Sequence, residues 1–132
     1  MEVARNFRGY NVAVLDPRSG AVAERDVFDT FVSRTESARL AEFIARIPAG
    51  WIAVAAIRDD GVAQLTDDAV QAFRTLGGRV DPRGTLFVSH LLIGVKGAAP
   101  GTAVEAFGPA RLKRVIGRDR DDLLVTRDFR LE

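Results

Sequence analysis

The sequence predicts a compact α/β (α+β-like) sandwich of mostly antiparallel strands with two main helices. Its 132 residues are enough for one domain with one hydrophobic core. Two amphipathic segments carry helix-start signals, and short apolar runs bounded by Gly, Pro and Asp stand around them. The order along the chain is hairpin, helix, strand, helix and further strands, and two helices among mostly antiparallel strands indicate such a sandwich.

Composition excludes several classes of function. Nineteen basic and eighteen acidic side chains give a net charge of +1, without the basic surplus of a nucleic-acid binder. The absence of cysteine excludes disulfides, a thiolate nucleophile and a cysteine-ligated metal. No apolar run approaches the ~20 residues of a membrane span, so no membrane insertion is expected.

The cellular compartment and the source organism are inferred from the N-terminal segment and from the use of arginine over lysine. The N-terminus lacks the apolar segment of a secretory signal, so we expect a cytoplasmic protein or a component of a virion or larger assembly. Arginine greatly outnumbers lysine, a usage common in GC-rich genomes, which suggests a bacterial or phage origin.

The first predicted element is a β-hairpin. An apolar run at residues 11–15 leads into a turn at 16–20 that contains Pro17 and Gly20. Proline sets the backbone φ of such a turn, and the second run, residues 21–29, resumes directly after it.

The first helix is predicted to begin at a capping box, in which Ser33 and Glu36 each accept a hydrogen bond from a free backbone N–H. It should end near Pro48, which cannot continue a helix. The apolar positions at helical spacing are Leu40, Phe43, Ile44 and Ile47. They predict one buried face.

Residues 51–57 carry no charge and are predicted to form a central strand covered on both faces. A second helix follows, capped by Thr66, with Asp67 and Asp68 at its positive dipole end. It should end at Gly77-Gly78. Its predicted inward-facing residues are Val70, Phe73 and Leu76.

The remaining elements are strands. Residues 86–95 are predicted to form a buried strand and residues 104–106 a short one. In the tail, residues 111–116 are predicted to form a helix or a strand, and residues 122–131 a terminal strand. The whole chain, 1–132, is therefore interpreted as a single domain with a C-terminal extension at 109–132.

Few residues suggest catalysis. His90 is the only histidine, and on an apolar strand it is expected to be structural, with a hydrogen-bonded imidazole. No zinc-ligand spacing is present. Asp59 and Asp60 follow the central strand, where loops often carry binding groups, although Asp-Asp-Gly is also common in turns. We therefore predict no catalytic residue, no metal ligand, no cofactor and no enzymatic activity.

Several segments together resemble a known family. They are residues 8–17, the Phe-Asp-Thr-Phe segment at 28–31, residues 40–50, residues 52–60, Leu-Gly-Gly at 76–78 and Ile-Gly-Val-Lys-Gly at 93–97. In this order they resemble the interleukin-like EMT inducer domain, also called the GG domain, over about residues 8–105. The family includes pancreatic-derived-factor-type proteins and the stem domain of protein O-mannose N-acetylglucosaminyltransferase.

The resemblance implies a β-β-α sandwich without catalytic activity of its own. In the transferase relatives the domain is similar to a lectin. Two of its ligand contacts there correspond to Arg8 and Asp59, and a third, an arginine in those relatives, corresponds to Phe87, which cannot donate a hydrogen bond to a sugar hydroxyl. Arg83 is nearby in sequence. Arg8 and Asp59 are equally suited to a salt bridge between the first and central strands.

Two functional hypotheses follow. The first is a non-catalytic recognition module with a lectin-like, carbohydrate-binding site at Arg8, Asp59 and Asp60. The alternative is a structural or assembly domain that binds another protein chain, for example in a bacterial or phage tail or fibre. The expected partner is a glycan or a protein chain, and no nucleic acid.

Overall fold

A computed structural model describes residues 7–58, 60–84 and 87–108, without the side chain of Arg58. Within them, five strands and two helices follow the predicted order. The elements are β1 (Gly9–Leu15), β2 (Val22–Phe28), α1 (Arg34–Ala45), β3 (Ile52–Arg58), α2 (Asp67–Arg74), β4 (Ser89–Val95) and β5 (Val104–Gly108). The predicted tail elements lie outside the described residues.

The five strands form one sheet in the order β2-β1-β3-β4-β5. Every neighbouring pair is antiparallel, and β3 lies at the centre, as its uncharged sequence predicts. The register places Tyr10 of β1 between Phe28 of β2 and Ile57 of β3. The α/β class with mostly antiparallel strands is therefore confirmed.

The main core lies on the face of the sheet that both helices cover. From the sheet it contains Tyr10, Val12, Val14, Phe28, Ala53, Ala55 and Leu92, and from the helices Leu40, Phe43, Ile44, Ala69, Val70 and Phe73. The prediction that β3 is covered on both faces is only partly correct, because Val54 and Ala56, on the face away from the helices, are only half-buried.

The two helix starts differ from the predicted capping pattern. Ser33 is the N-cap of α1, and its side chain accepts hydrogen bonds from the backbone N–H groups of Thr35 and Glu36. The predicted return bond of the capping box, from the N-cap N–H to Glu36, is wrong, because the Glu36 carboxylate accepts instead from the N–H of Asp29. Glu36 thereby ties α1 to the end of β2.

Thr66 is the N-cap of α2, but its hydroxyl makes no side-chain capping bond. It lies 3.1 Å from the hydroxyl oxygen of Ser37, and the Ser37 hydroxyl also accepts from the Thr66 backbone N–H. Thr66 therefore joins the two helices, because its hydroxyl pairs with α1 instead of with its own helix.

The predicted strand at 86–95 is shorter than expected. β4 begins at Ser89, and Phe87 has a φ of 59°, a left-handed conformation that no strand residue adopts. Leu86 lies outside the described residues. The apolar run therefore indicated a strand correctly but placed its start two residues or more too early.

Lys96 anchors the C-terminal end of α1 to the end of β4. Its ammonium donates hydrogen bonds to the carbonyls of Ile44, Ala45 and Ile47 at 2.8, 3.1 and 3.1 Å. The last carbonyls of a helix have no partner within it, and they form the negative end of its dipole. One side chain thus reaches two of these groups, and the Ile47 carbonyl just beyond the helix end, with a favourable charge.

We expect Lys96→Met to lower the free energy of unfolding by about 1–3 kcal/mol, because the three carbonyls lose a charged donor. Urea denaturation followed by circular dichroism measures this. Arg34→Met is the control, since Arg34 is exposed at the opposite end of the same helix and should change the midpoint little. Equal midpoints for the two variants would contradict the anchoring role.

Among the described residues, no helix is long and apolar enough to cross a membrane.

Candidate functional site

The antiparallel order brings several loops together at one end of the sheet. β1 begins there, β2 and β3 end there, and β4 begins there. We call this the Arg8 end; among the described residues its loops contribute Arg8, Asp29, Thr30, Phe31, Asp60 and Phe87. Arg8, Asp60 and Phe87, which the sequence indicated as candidates, therefore belong to neighbouring loops.

Arg8 is held in a fixed plane by the segment that follows β2. Its Nε lies 3.2 Å from both carboxylate oxygens of Asp29, and its Nη2 donates to Asp29 Oδ2 at 2.7 Å. The guanidinium carbon also stands 4.9 Å from the centre of the Phe31 ring. The side chain is 44% exposed, so part of it is accessible from solvent.

The ion pair with Asp29 was not predicted. The sequence suggested Asp59 as a salt-bridge partner, but Asp59 lies outside the described residues. The signal for Asp29 was present in the Phe-Asp-Thr-Phe segment, which supplies both the carboxylate and the ring beneath Arg8.

Asp60 is buried, with 2% of its surface exposed. Its Oδ1 accepts a hydrogen bond from the backbone N–H of Val62 at 3.1 Å, and its Oδ2 accepts from the N–H of Phe87 at 3.4 Å. The next residue is fixed as well, because Thr30 donates its hydroxyl hydrogen to the Gly61 carbonyl at 2.6 Å. Asp60 thus holds the loop before β4 in place.

Phe87 presents its ring to solvent from a strained backbone. It is 68% exposed, and its φ of 59° is unusual for a bulky residue. Such strain persists only where surrounding contacts impose it, and it is concentrated at functional sites. The bond to Asp60 is one of those contacts.

Arg83 does not take over the position of Phe87. Its Nε and Nη2 donate to Asp81 at 2.9 and 2.6 Å, and its Nη1 donates to Asp67 at 2.6 Å. The Arg83 guanidinium is therefore bound to the carboxylates of Asp81 and Asp67. Asp67, at the start of α2, thus has an ion-pair partner in addition to the helix dipole.

His90 belongs to a separate, buried chain of hydrogen bonds. Its Nδ1 lies 2.8 Å from the hydroxyl oxygen of Tyr10, and its Nε2 lies 2.7 Å from Glu105 Oε2. The other oxygen of Glu105 accepts from the backbone N–H groups of Arg79 and Val80. The expectation of a hydrogen-bonded structural histidine is confirmed, whereas Tyr10 and Glu105 were not foreseen as its partners.

The electrostatics of this chain favour an ionised carboxylate. Burial raises the pKa of Glu105, but the hydrogen bonds from His90 and from the Arg79 N–H outweigh it, and the pKa lies below its usual value. Burial also raises the pKa of Tyr10 well above its usual value. In the neutral imidazole, Nε2–H then donates to Glu105, and Nδ1 accepts from the Tyr10 hydroxyl.

In residues 7–58, 60–84 and 87–108, no three side chains of His, Cys, Asp or Glu are grouped so that they could hold a metal ion.

The model of the family described as "Interleukin-like EMT inducer" matches residues 8–98, more than half of the chain. The chain belongs to the interleukin-like EMT inducer family. The match begins at Arg8 and includes every loop of the Arg8 end.

Three relatives illustrate where such domains occur. The human cell migration-inducing and hyaluronan-binding protein is 42% identical over 72 residues, which are 54% of this chain and 5% of that protein. Zebrafish (Danio rerio) cell surface hyaluronidase is 31% identical over 109 residues, 76% of this chain and 8% of that protein. Protein FAM3C of Xenopus tropicalis is 36% identical over 70 residues, 53% of this chain and 30% of that protein.

The chain therefore spans a small part of each of these relatives. Membership of the interleukin-like EMT inducer family is consistent with a non-catalytic or cytokine-like domain. The hyaluronidase named among the relatives is a much longer protein, of which this chain corresponds to 8%. These relatives are vertebrate proteins, and they give no support to the bacterial or phage alternative.

Proposed function

We propose that this chain is a non-catalytic glycan-recognition module that binds its ligand at the Arg8 end. The observation that carries the proposal is Phe87, whose ring is 68% exposed on a strained backbone that is tied to buried Asp60. Burying an aromatic ring against the C–H face of a sugar releases water from both apolar surfaces. Phe87 would thus contribute packing where the transferase relatives use an arginine.

Arg8 would supply the polar half of the contact. Its planar guanidinium is oriented by Asp29 and Phe31, so little side-chain freedom remains to be lost on binding. A guanidinium donates in a planar fork, which suits neighbouring hydroxyl or carboxylate oxygens of a glycan. Asp59 remains a proposed contact, and Asp60 is proposed as the residue that positions Phe87.

The comparisons support the ligand class. One relative is named as a hyaluronan-binding protein, and hyaluronan is a glycan. This chain matches only 5% of that protein, so the likeness supports the class of ligand and does not select one glycan.

A glycan array that includes hyaluronan oligosaccharides tests the proposal on wild type, Arg8→Ala, Phe87→Ser and the control Val32→Ser. Val32 is also exposed, at 56%, and it lies on the loop after β2. We expect Arg8→Ala and Phe87→Ser each to weaken binding by about 10-fold or more, and the control to bind as wild type.

Circular dichroism establishes that each variant is folded. Absence of binding to every glycan by folded wild type would overturn the proposal. Undiminished binding by both Arg8→Ala and Phe87→Ser would show that the Arg8 end is not the site.

A protein partner is the second candidate, favoured by the exposed apolar side chains. Phe7, Val32 and Phe87 are 59%, 56% and 68% exposed, and all three are in segments that flank strands at the Arg8 end. Several exposed apolar side chains at one end of a fold offer a surface to a protein partner. Light scattering tests one such partner, a second copy of the chain: a concentration-dependent dimer that Val32→Ser dissociates would favour this candidate.

A further inference from the structure

The opposite end of the sheet contains a cleft that has no assigned role. It lies between the β1–β2 hairpin and the C-terminal end of α1, and its volume is about 320 Å³. We call it the Trp51 cleft. It is lined by Val14, Ala23, Glu24, Phe43, Arg46, Ile47, Pro48 and Trp51.

The cleft exists because α1 contacts β2 closely along only part of its length. In the middle of α1, Arg39 donates to Asp26 and to the Val27 carbonyl, and its guanidinium stacks on Phe28. The next residue of β2 on this face is Glu24, and α1 ends at Ala45. No comparable side chain fills the space between Glu24 and the helix end, so the space remains open.

The floor of the cleft is apolar and its rims are charged. Val14, Phe43 and Ile47 are buried, with exposures of 4%, 3% and 6%. Glu24 on one rim and Arg46 on the other are exposed. In the described part of the chain, neither rim group takes part in an ion pair, and no acceptor meets the indole N–H of Trp51. The Glu24 carboxylate, which accepts hydrogen bonds, and two donors, the Arg46 guanidinium and the Trp51 indole N–H, thus surround an apolar floor.

We propose that the Trp51 cleft binds a neutral sugar ring. A pyranose has an apolar C–H face for the floor and the indole, and a ring of hydroxyls that donate to Glu24 and accept from Arg46. The opposite charges of the two rims favour a neutral ligand over an acidic or basic one. The cavity volume lies at the small end of ligand sites, of about 300–1,000 Å³, which suits one or two small rings better than a peptide helix.

The site is separate from the Arg8 end, so either can fail without the other. Trp51 is the only tryptophan of the chain, and its fluorescence therefore reports directly on the cleft. The probes are maltotriose, cellotriose and triacetylchitotriose, each titrated to about 10 mM, since weak single-ring contacts give millimolar dissociation constants.

We expect at least one trisaccharide to change the Trp51 fluorescence saturably. Glu24→Ala and Arg46→Ala should each weaken that response by about 10-fold, because each removes a charged hydrogen-bonding group. Glu42→Ala is the matched control, since it removes one exposed negative charge from α1 outside the cleft. It and Arg8→Ala should respond as wild type.

Cyclohexanol, a ring of similar size with a single hydroxyl, distinguishes a sugar site from an apolar crevice. A saturable response to cyclohexanol that is unaffected by Glu24→Ala and Arg46→Ala, with no response to the trisaccharides, would overturn the proposal. A fluorescence response lost in Arg8→Ala but retained in Arg46→Ala would also overturn it, because the sugar would then bind at the other end.

Discussion

Gly94→Ala should destabilise the fold by more than about 3 kcal/mol, at the upper end of the cost of overpacking a core. A Cβ atom at Gly94 would lie 1.9 Å from the carbonyl oxygen of Leu76. That oxygen belongs to the backbone just after α2, which is held over β4 by the bond from the Gly97 N–H to the Thr75 carbonyl. The clash therefore cannot be relieved by rotating a side chain.

The measurement is the urea midpoint of Gly94→Ala beside that of Gly50→Ala. A methyl group at Gly50 would meet nothing within 4 Å, although its φ of 89° is unfavourable for alanine. Gly50→Ala therefore measures the backbone penalty without a clash, and we expect it to cost about 1–2 kcal/mol. If the Gly94 variant were as stable as the Gly50 variant, α2 would not lie against β4 as described.

The second large effect is expected at Glu105. Glu105→Leu removes the acceptor for three donors, namely His90 Nε2 and the backbone N–H groups of Arg79 and Val80. Hydrogen bonds to a charged acceptor are worth about 1.5–3 kcal/mol each, and the buried Nε2–H of His90 is left without a partner, so the change should cost about 3–5 kcal/mol. Glu105→Gln should cost about 1–3 kcal/mol, because its carbonyl still serves the backbone while its NH2 donates to a histidine in the other tautomer.

The same residue predicts a pH dependence. The pKa of Glu105 in the folded chain lies below its ordinary value of 4.5. Its contribution is therefore complete above the unfolded pKa and is lost as the pH falls through the folded pKa. Unfolding free energies of wild type should fall more steeply below about pH 4.5 than those of Glu105→Gln. The exposed-site control Glu42→Gln should follow wild type, and identical acid profiles for all three proteins would contradict this role.

Elements with one-sided burial were predictable from the sequence. The spacing of Leu40, Phe43 and Ile44 requires a helix with one buried face, and those side chains are buried. The uncharged run at β3 likewise indicated a central strand. The helix pattern reflects the side that faces the core, and the absence of charge in β3 reflects its position between other strands, both of which the local sequence records directly.

Interactions between distant segments were not predictable. Lys96 stands in a Val-Lys-Gly sequence that indicates only the end of a strand, and its acceptors are 49 to 52 residues away. Phe87 contradicts its own preference, because a bulky side chain disfavours positive φ. The tertiary bond to Asp60, which the local sequence does not show, is one of the contacts that hold that conformation.

The candidate site was partly predictable. Arg8 lies at the same end of the sheet as the loop after β3, as a common site requires, but its partner is Asp29 on the neighbouring loop. Asp60 is buried, and the sequence Asp-Asp-Gly gives no sign of this. A turn sequence specifies the direction of the chain more closely than it specifies the burial of each side chain.

The exposed edge strand β2 has a consequence for solubility. A strand at the edge of a sheet offers unpaired N–H and C=O groups to any other strand, and this makes edges sites of aggregation. Here Glu24, Arg25 and Asp26 stand consecutively in β2, and the β1–β2 register shifts between Val14 and Leu15. Addition of a foreign strand at this edge would place it beside three charges on an irregular ladder. These features disfavour the addition of strands at the β2 edge, and with it cross-β polymerisation from that side of the sheet.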